Sequence, residues 1–554
     1  MPLFVRRLTI AAAFTPALLL AQRPGGGAPT APNAMALPIP SDQMAQLTAC
    51  AGLPVTDPVL LRASGEEGMM PSVRPVPLAR CQADSIGPRL TGSPGFTAAG
   101  DWLMKKYAEW GITARKEQWG TWNSFQRGVT HVDLVAPRTR TLEATMLAWS
   151  PATNGAVTGD VVVLPEFASA DAAHAWLMAT RGKFVMVNAP NITCRTPQQM
   201  AEFGMPSTLT SMRAAQDSIR ISFNNRNVAS AGLQDSLKAY GAAGVVTFGW
   251  SNDLPASTEV FRIAAGSRLP NVRPARSSEP NYGWYYGLAT KNQGPKLRVQ
   301  IESQFLGEQP VHNTIAEVKG TGPKAKEYVM LSAHYDSWEA SSGATDNATG
   351  TITMLEAMRI LKSVGYKPRR TILAGHWAGE ERASNGSRSF VKDHPEVVAN
   401  LHALFNQDNG TGRIVNMNAS GLVSADTVLR GYLSQLPNEF TQWIRYTGVG
   451  APGSGGTDHV SFVCAGAPGF NLGALSWDYG FTTWHTNRDT YDKIIVDDLK
   501  QNATLTAMLI YLASEDPTMM RRIKRDPLPA GPSGSAGAWP TCVDGTRNTS
   551  GYRR

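Results

Sequence analysis

The chain has 554 residues, a formal charge of +8, and 42% hydrophobic against 17% charged residues. That length is too great for one compact core, so two or more domains are expected, and that balance excludes a disordered chain. The positive charge is not gathered into a dense basic run with interleaved aromatics, which excludes nucleic acid as an expected partner.

Residues 1–21 read as a secretory signal. Arg6 and Arg7 give a basic start, Leu8 to Leu20 an apolar run broken by Pro16, and Ala21 a cleavage edge. No later stretch is apolar enough over about 18 residues to span a bilayer. The expectation is a secreted or periplasmic bacterial protein with no membrane attachment after signal cleavage. Residues 22–45, rich in Gly, Pro and Ala, read as a flexible segment. The five cysteines (Cys50, Cys81, Cys194, Cys464, Cys542) contain no C-x-x-C pair and are not expected to hold metal. Export permits disulfides, and the odd count leaves at least one thiol unpaired within the chain.

Residues 46–139 read as the first part of a catalytic domain. After Arg89 the text RLTGSPGF leads into a helix with Trp102, Leu103, Tyr107 and Trp110 at helical spacing, Thr97 as its cap and Gly111 at its end. Ile112 to Trp119 then reads as a strand. Residues 140–300 have a different texture, with short strands at Val161 to Leu164, Phe184 to Val187 and Gly244 to Phe248 between helical pieces, and read as a small separate domain. In 301–520 the expected strands are Tyr328 to Ala333, Arg370 to Ala374, Leu401 to Phe405 and Pro468 to Leu472. Between the first two, Thr349 to Val364 is a helix with Ile352, Leu355, Met358 and Leu361 on one face. Strands alternating with helices predict a three-layer α/β/α sandwich on a mostly parallel mixed sheet. Residues 521–554 read as a loose tail pinned by Cys542, with Arg521, Arg522, Lys524 and Arg525 as a solvated basic face.

Ligands of open α/β sheets bind beyond the carboxyl ends of strands. His334 and Asp336 follow one expected strand, Glu380 and Glu381 the next, and Asp408 a third, so independent segments deliver imidazole and carboxylates to one edge. That donor set, without a thiolate, is the set of a hydrolytic zinc site. Two ions about 3.5–4 Å apart need a bridging carboxylate. Asp346, within GATDNATG at 343–350, is the candidate, its alternative role being the cap of the helix from Thr349. Asp336 is read as an outer carboxylate orienting the His334 ring. Glu380 is the candidate general base and Glu381 a ligand. Asp408 is a ligand or, alternatively, part of an Asp-Asn-Gly turn. The last ligand is His459, in GGTDH, or His485, in WHTNRDT, and spacing does not choose. A sequon at Asn347-Ala348-Thr349 would place a glycan in the metal loop, which favours an unglycosylated bacterial product. Gly249-Trp250-Ser251 lacks the closing Gly of a nucleophile elbow, so a serine hydrolase is not expected.

HYDS at 334–337, GATDNATG at 343–350, GEE at 379–381, NQDNG at 406–410 and WHTNRDT at 484–490 together resemble the co-catalytic di-zinc exopeptidase family, which includes bacterial aminopeptidases and glutamate carboxypeptidase. RLTGSPG is similar to that family's first segment. The resemblance implies two zinc ions, one on His334 and Asp408 and one on Glu381 and His485, bridged by Asp346, with Glu380 as base. It chooses His485 over His459 and implies that GGTDHVSF is a substrate-pocket loop and that the bond before Asn347 can be cis. It implies that 140–300 is an inserted β-rich protease-associated domain, acting as lid or spacer or merely packing. One departure stands at Arg382-Ala383, where the family has a Gly-Leu-like pair, and it puts the following helical turn in question. The implied activity is removal of residues from the ends of small peptides, by an aminopeptidase or, alternatively, a carboxypeptidase of the glutamate carboxypeptidase type. An inactive receptor-like binding protein is disfavoured because every ligand is present. Oligomeric state has no signal in the sequence.

Overall fold

The computed structural model describes residues 78–548 apart from 80, 143, 188–201, 226–230, 248–261, 266–268, 271–276, 279–285, 340, 454, 478 and 530–536. The expected signal and flexible segment (1–45) lie outside the described residues. Helix α1 (Pro94–Glu109) starts earlier than a Thr97 cap would allow. Ser93 is the cap: its Oγ accepts from Phe96 N at 3.2 Å, and Pro94 takes the first helical position, where a missing N–H costs nothing. Thr97 sits inside the first turn, its hydroxyl bonded to Ser93 O. The helix buries Phe96, Leu103 and Tyr107, and Gly111, at φ +62°, turns the chain out of it.

Strand β1 (Thr113–Ala136) follows and runs far past the expected end at Trp119. Within 140–300 come β2 (Ala144–Met146), β3 (Val157–Val163), β4 (Phe184–Met186), β5 (Gly244–Thr247) and β6 (Arg262–Ala265). Then come β7 (Lys296–Val318), β8 (Tyr328–His334), β9 (Thr371–Trp377), β10 (Leu401–Asn406) and β11 (Gly469–Asn471). They form one sheet in the order β11-β10-β8-β9-β7-β3-β4-β5-β6-β2, with β1 paired to β7. The β11-β10-β8-β9 block and the β3-β4-β5-β6 block are each parallel. Between them β7 is antiparallel to both, its residues 296–299 lying against β3 and 314–318 against β9. The architecture is the predicted α/β class with a mostly parallel sheet.

Strand alternation gives the sheet two buried faces. Met330, Leu373 and Leu404 point into a cluster with Trp377, Phe390 and Phe462. Val329, Leu331, Ile372 and Phe405 point the other way, into the main core with Ile352, Leu355, Leu505 and Leu509. The second face is covered by α2 (Thr349–Ser363), and the first by α3 (Asn385–Asp393) and α4 (His459–Cys464). Helix α5 (Val496–Glu515) packs on α2. Arg370, expected to open β9, instead lies just before it, fully buried. Its guanidinium donates to Ala513 O, Asp516 O and Thr518 O at 2.9, 2.6 and 2.9 Å and pairs with Glu327, tying the end of α5 to the sheet.

Beyond α5 two expectations change. Arg521, Lys524 and Arg525 are exposed, but Arg522 donates to the carbonyls of Val398, Ala399 and Leu401 and so anchors the chain. Residues 537–548, expected to be loose, are docked: Cys542 is disulfide-bonded to Cys464 at the end of α4, and Trp539 Nε1 donates to Val463 O at 2.8 Å. Among the described residues no helix is long and apolar enough to cross a membrane.

Candidate metal centre

Because β8, β9 and β10 are parallel, their carboxyl ends, at His334, Trp377 and Asn406, open on the same edge. His334 Nε2 stands 3.4 Å from Asp346 Oδ1 and 3.2 Å from Asp408 Oδ1. His485 Nε2 stands 3.2 Å from Asp346 Oδ2 and 3.0 Å from Glu381 Oε2. Two triads therefore share one carboxylate, each using a different oxygen of Asp346, and the donor atoms of each triad lie within 4.8 Å of one another. The Asp346 side chain does not cap α2. His459 is fully buried on α4 and belongs to neither triad.

The donor chemistry fits a divalent cation. His334 Nε2, Asp346 Oδ2 and Glu381 Oε1 are buried atoms without a hydrogen-bond partner, a costly state for polar atoms unless something else ligates them. The electrostatics point the same way. Burial would push His485 down, but Glu381 and Asp346 outweigh it and push the imidazole up to about 10. At His334 burial is likewise overcome, by Asp408, Asp336 and Asp346, and the ring is raised well above its ordinary value. Burial and the neighbouring Asp346 push Glu381 up to about 7. A site that draws protons this strongly exchanges them for a metal ion when one binds.

Glu380 is half-buried on the turn between β9 and α3. Desolvation, reinforced by Asp408, Asp458 and Glu381 against the opposing pull of His334, raises its carboxyl well above the usual range, which suits a proton acceptor near neutral pH. Its main-chain N–H donates to Asp336 Oδ1 at 3.2 Å, and the other Asp336 oxygen accepts from Thr91 Oγ1 at 2.8 Å. Asp336 faces the His334 ring with two oxygens: its main-chain carbonyl lies 3.1 Å from Nδ1 and its carboxylate 3.5 Å. Nδ1 has one proton to give, and the nearer carbonyl takes it, leaving Nε2 free to ligate. The Asp336 carboxylate is thus a tether for the Glu380 turn.

Two further residues, Asp489 and Arg89, hold the loops that carry the ligands. Asp489 is fully buried and accepts from Thr345 N at 2.6 Å and Asp346 N at 2.9 Å, while its carbonyl accepts from Ser341 and Ser342. Desolvation and the nearby Asp346 push its carboxyl up to about 7. Arg89 is fully buried and donates to Tyr335 O, Gly87 O, Ser342 O and Gly343 O, locking the His334 segment to the Asp346 loop. An acid four residues after a candidate His is a usable sequence signal. The partners of Arg89 are mostly some 250 residues away, and no local pattern announces them. Asp489→Asn sets an amide NH2 against one of the two main-chain donors it now accepts from, so zinc affinity is expected to fall roughly 10–100-fold, the usual loss for an outer partner. Competition against a chromophoric chelator measures it; unchanged affinity removes Asp489 from this role.

The Asp346-Asn347 bond is cis. The Asn347 amide is fully buried, its Nδ2 donating to Gln407 O at 2.9 Å and its Oδ1 accepting from Gly350 N at 3.0 Å. A glycan on that nitrogen is incompatible with the folded loop. At the Arg382-Ala383 departure the helix starts late: Ala383 and Ser384 take positive φ (74° and 54°), and α3 begins at Asn385. The Arg382 guanidinium lies between Trp149 and Trp338, 4.9 and 5.4 Å from the ring centres, and Trp338 meets His485 edge-on at 5.8 Å.

Comparison with known proteins fits this geometry. The model of Peptidase family M28 matches residues 313–510. Carboxypeptidase Q of Mus musculus is 22% identical over 440 residues, covering 79% of this chain and 85% of that protein. A peptidase M28 precursor from Shewanella amazonensis shares the fold, with a TM-score of 0.62 at 20% identity over 88% of this chain and 99% of the other. A zinc aminopeptidase from Bacillus subtilis does so with a TM-score of 0.50 at 17% identity over 82% and 97%.

Proposed function

We propose that the chain, whose residues 313–510 match the model of Peptidase family M28, is an exported di-zinc aminopeptidase acting on small peptides. The observation that carries this is the division of Asp346, one oxygen to each histidine-carboxylate pair. His334 and Asp408 would hold one zinc ion and Glu381 and His485 a second, with Asp346 shared. When bound, the pair supplies an acidified water and positive charge for polarising a peptide carbonyl. The residues around them do the rest. Glu380 takes the proton of the attacking water and returns it to the leaving amine. Asp336 and Thr91 hold the turn that carries it, while Asp489 and Arg89 fix the loop that carries Asp346. His459 and Asp458, fully buried, lie in the loop-helix segment read as lining the substrate pocket.

Glu380 and the nearby Asp458, carboxylates not assigned to zinc, favour a cationic substrate end, the free amine. A carboxypeptidase is the second reading, favoured by Arg382 beside Glu381 as a cation for a free carboxylate. We read 46–139 with 301–520 as the catalytic domain and 140–300 as a protease-associated insert that acts as a spacer. Export is supported by the disulfide, which persists in oxidising compartments. Dipeptides blocked at either end, assayed after zinc removal and again after its return, test the proposal. Hydrolysis of C-blocked but not N-blocked dipeptides is expected; the reverse preference would establish the carboxypeptidase, and rates indifferent to zinc would remove the mechanism.

A further inference from the structure

We infer that the C-terminal segment 537–548, which lies beyond the residues matched by the family model, is a strap that positions the Glu380-Glu381 turn, with Asn385 as the joint. Asn385 is buried at the first position of α3. Its Nδ2 donates to Arg382 O at 2.7 Å and its main-chain N–H to Gly379 O at 2.9 Å, so it closes the loop containing both glutamates. Its Oδ1 accepts from Thr546 N at 2.8 Å, in the strap. One amide therefore links the turn to the tail, and Glu381 is the group that the turn presents to His485.

The seat for the strap is built on both sides. A Cβ on Gly545 would fall 2.6 Å from Asn385 O and 2.7 Å from Ser389 Oγ. On the receiving side, a Cβ on Gly120 would fall 2.2 Å from Arg547 O. That carbonyl accepts from Thr121 N at 2.9 Å, beside the β1 register shift at Gln118/Gly120. Two glycines, far apart in the chain, both leave room for the same backbone. Arg547 adds an ion pair to Asp393 at 2.7 Å at the far end of α3, and Lys392 pairs with Asp544. The Cys464-Cys542 disulfide fixes the near end, so the strap is held before, at and after Asn385.

This inference rests on the di-zinc reading, and zinc titration of metal-free, full-length protein separates the two. Thr546→Pro deletes the N–H that Asn385 accepts and leaves the disulfide in place; Cys542→Ser frees the near end and leaves that N–H. Two zinc-binding steps are expected for the unmodified chain. In either variant one step weakens roughly 10–100-fold, as for an outer-shell loss, and the other keeps its affinity, because His334 and Asp408 do not ride on this turn. With zinc saturating, kcat falls while KM for a dipeptide stays within about twofold. Two unchanged steps in both variants would overturn the strap's role, and so would equal weakening of both, which is general loosening. An unmodified chain that takes up no zinc would sink the di-zinc reading and this inference with it. Should one variant fail to fold, the other decides.

Discussion

Glu380→Gln is expected to bind zinc as the unmodified chain does and to lose turnover by roughly 10²–10⁴-fold, the contribution of a positioned general base. The substitution keeps the volume and leaves the main-chain tether to Asp336 Oδ1 intact, so the turn stays in place. What it removes is the only feature the mechanism asks of this side chain, an oxygen that accepts a proton. Desolvation and the Asp408 and Asp458 carboxylates raise the affinity of Glu380 for that proton, and an amide has none of it. Metal content by mass spectrometry and kcat on a C-blocked dipeptide make the pair of measurements. Wild-type turnover with full zinc would move the base elsewhere; loss of zinc would show that Glu380 is a ligand.

Asp346→Ala is expected to do the opposite, removing metal first. Both histidines lose the carboxylate oxygen that faces them at 3.4 and 3.2 Å, so neither triad keeps more than two of its three donors. Loss of one outer-shell partner costs 10–100-fold in affinity, and a shared direct ligand is expected to cost at least about 100-fold at both positions together. Zinc per chain, measured at a chelator concentration where the unmodified protein is saturated, should fall from two towards none, and activity with it. One ion retained at full affinity would show that Asp346 serves a single metal and does not bridge.

Much of this site was legible because His334, Glu381 and Asp408 sit at or shortly after the end of an apolar strand, and parallel strands bring those ends to one edge. His334, Glu381 and Asp408 could be found that way. The choice of His485 over His459 could not. What separates them is that His459 is swallowed by α4 while His485 sits at positive φ (54°) facing Glu381. The part that the Asp336 main-chain carbonyl plays in orienting His334 is not legible, because the sequence shows side chains and hides carbonyls. Local periodicity placed α2 and the first half of β9, but it stopped β1 at Trp119, since the bulges along that strand break its alternation. Docking of the tail was hidden for a different reason. It depends on two glycines and an asparagine spread over some 425 residues, and the pattern exists only once the chain is folded.

β7 has a mechanical consequence. It is one strand with two neighbourhoods, bonded to β3 at its start and to β9 at its end, and β1 accompanies it along nearly its whole length. A segment of 23 residues at about 3.3 Å per residue is a girder roughly 75 Å long. Whatever 140–300 does during turnover, it cannot swing like a door on a loose thread, because a door needs a hinge and here the frame runs through it. The ladder between the two strands shifts register at Gln118/Gly120, Ser124/Phe125 and Arg127/Thr130, places where a bulged strand bends and twists more strongly. For the spacer proposed at 140–300, the coordinate left open is twist, of low amplitude, which suits the proposed short peptides better than folded ones.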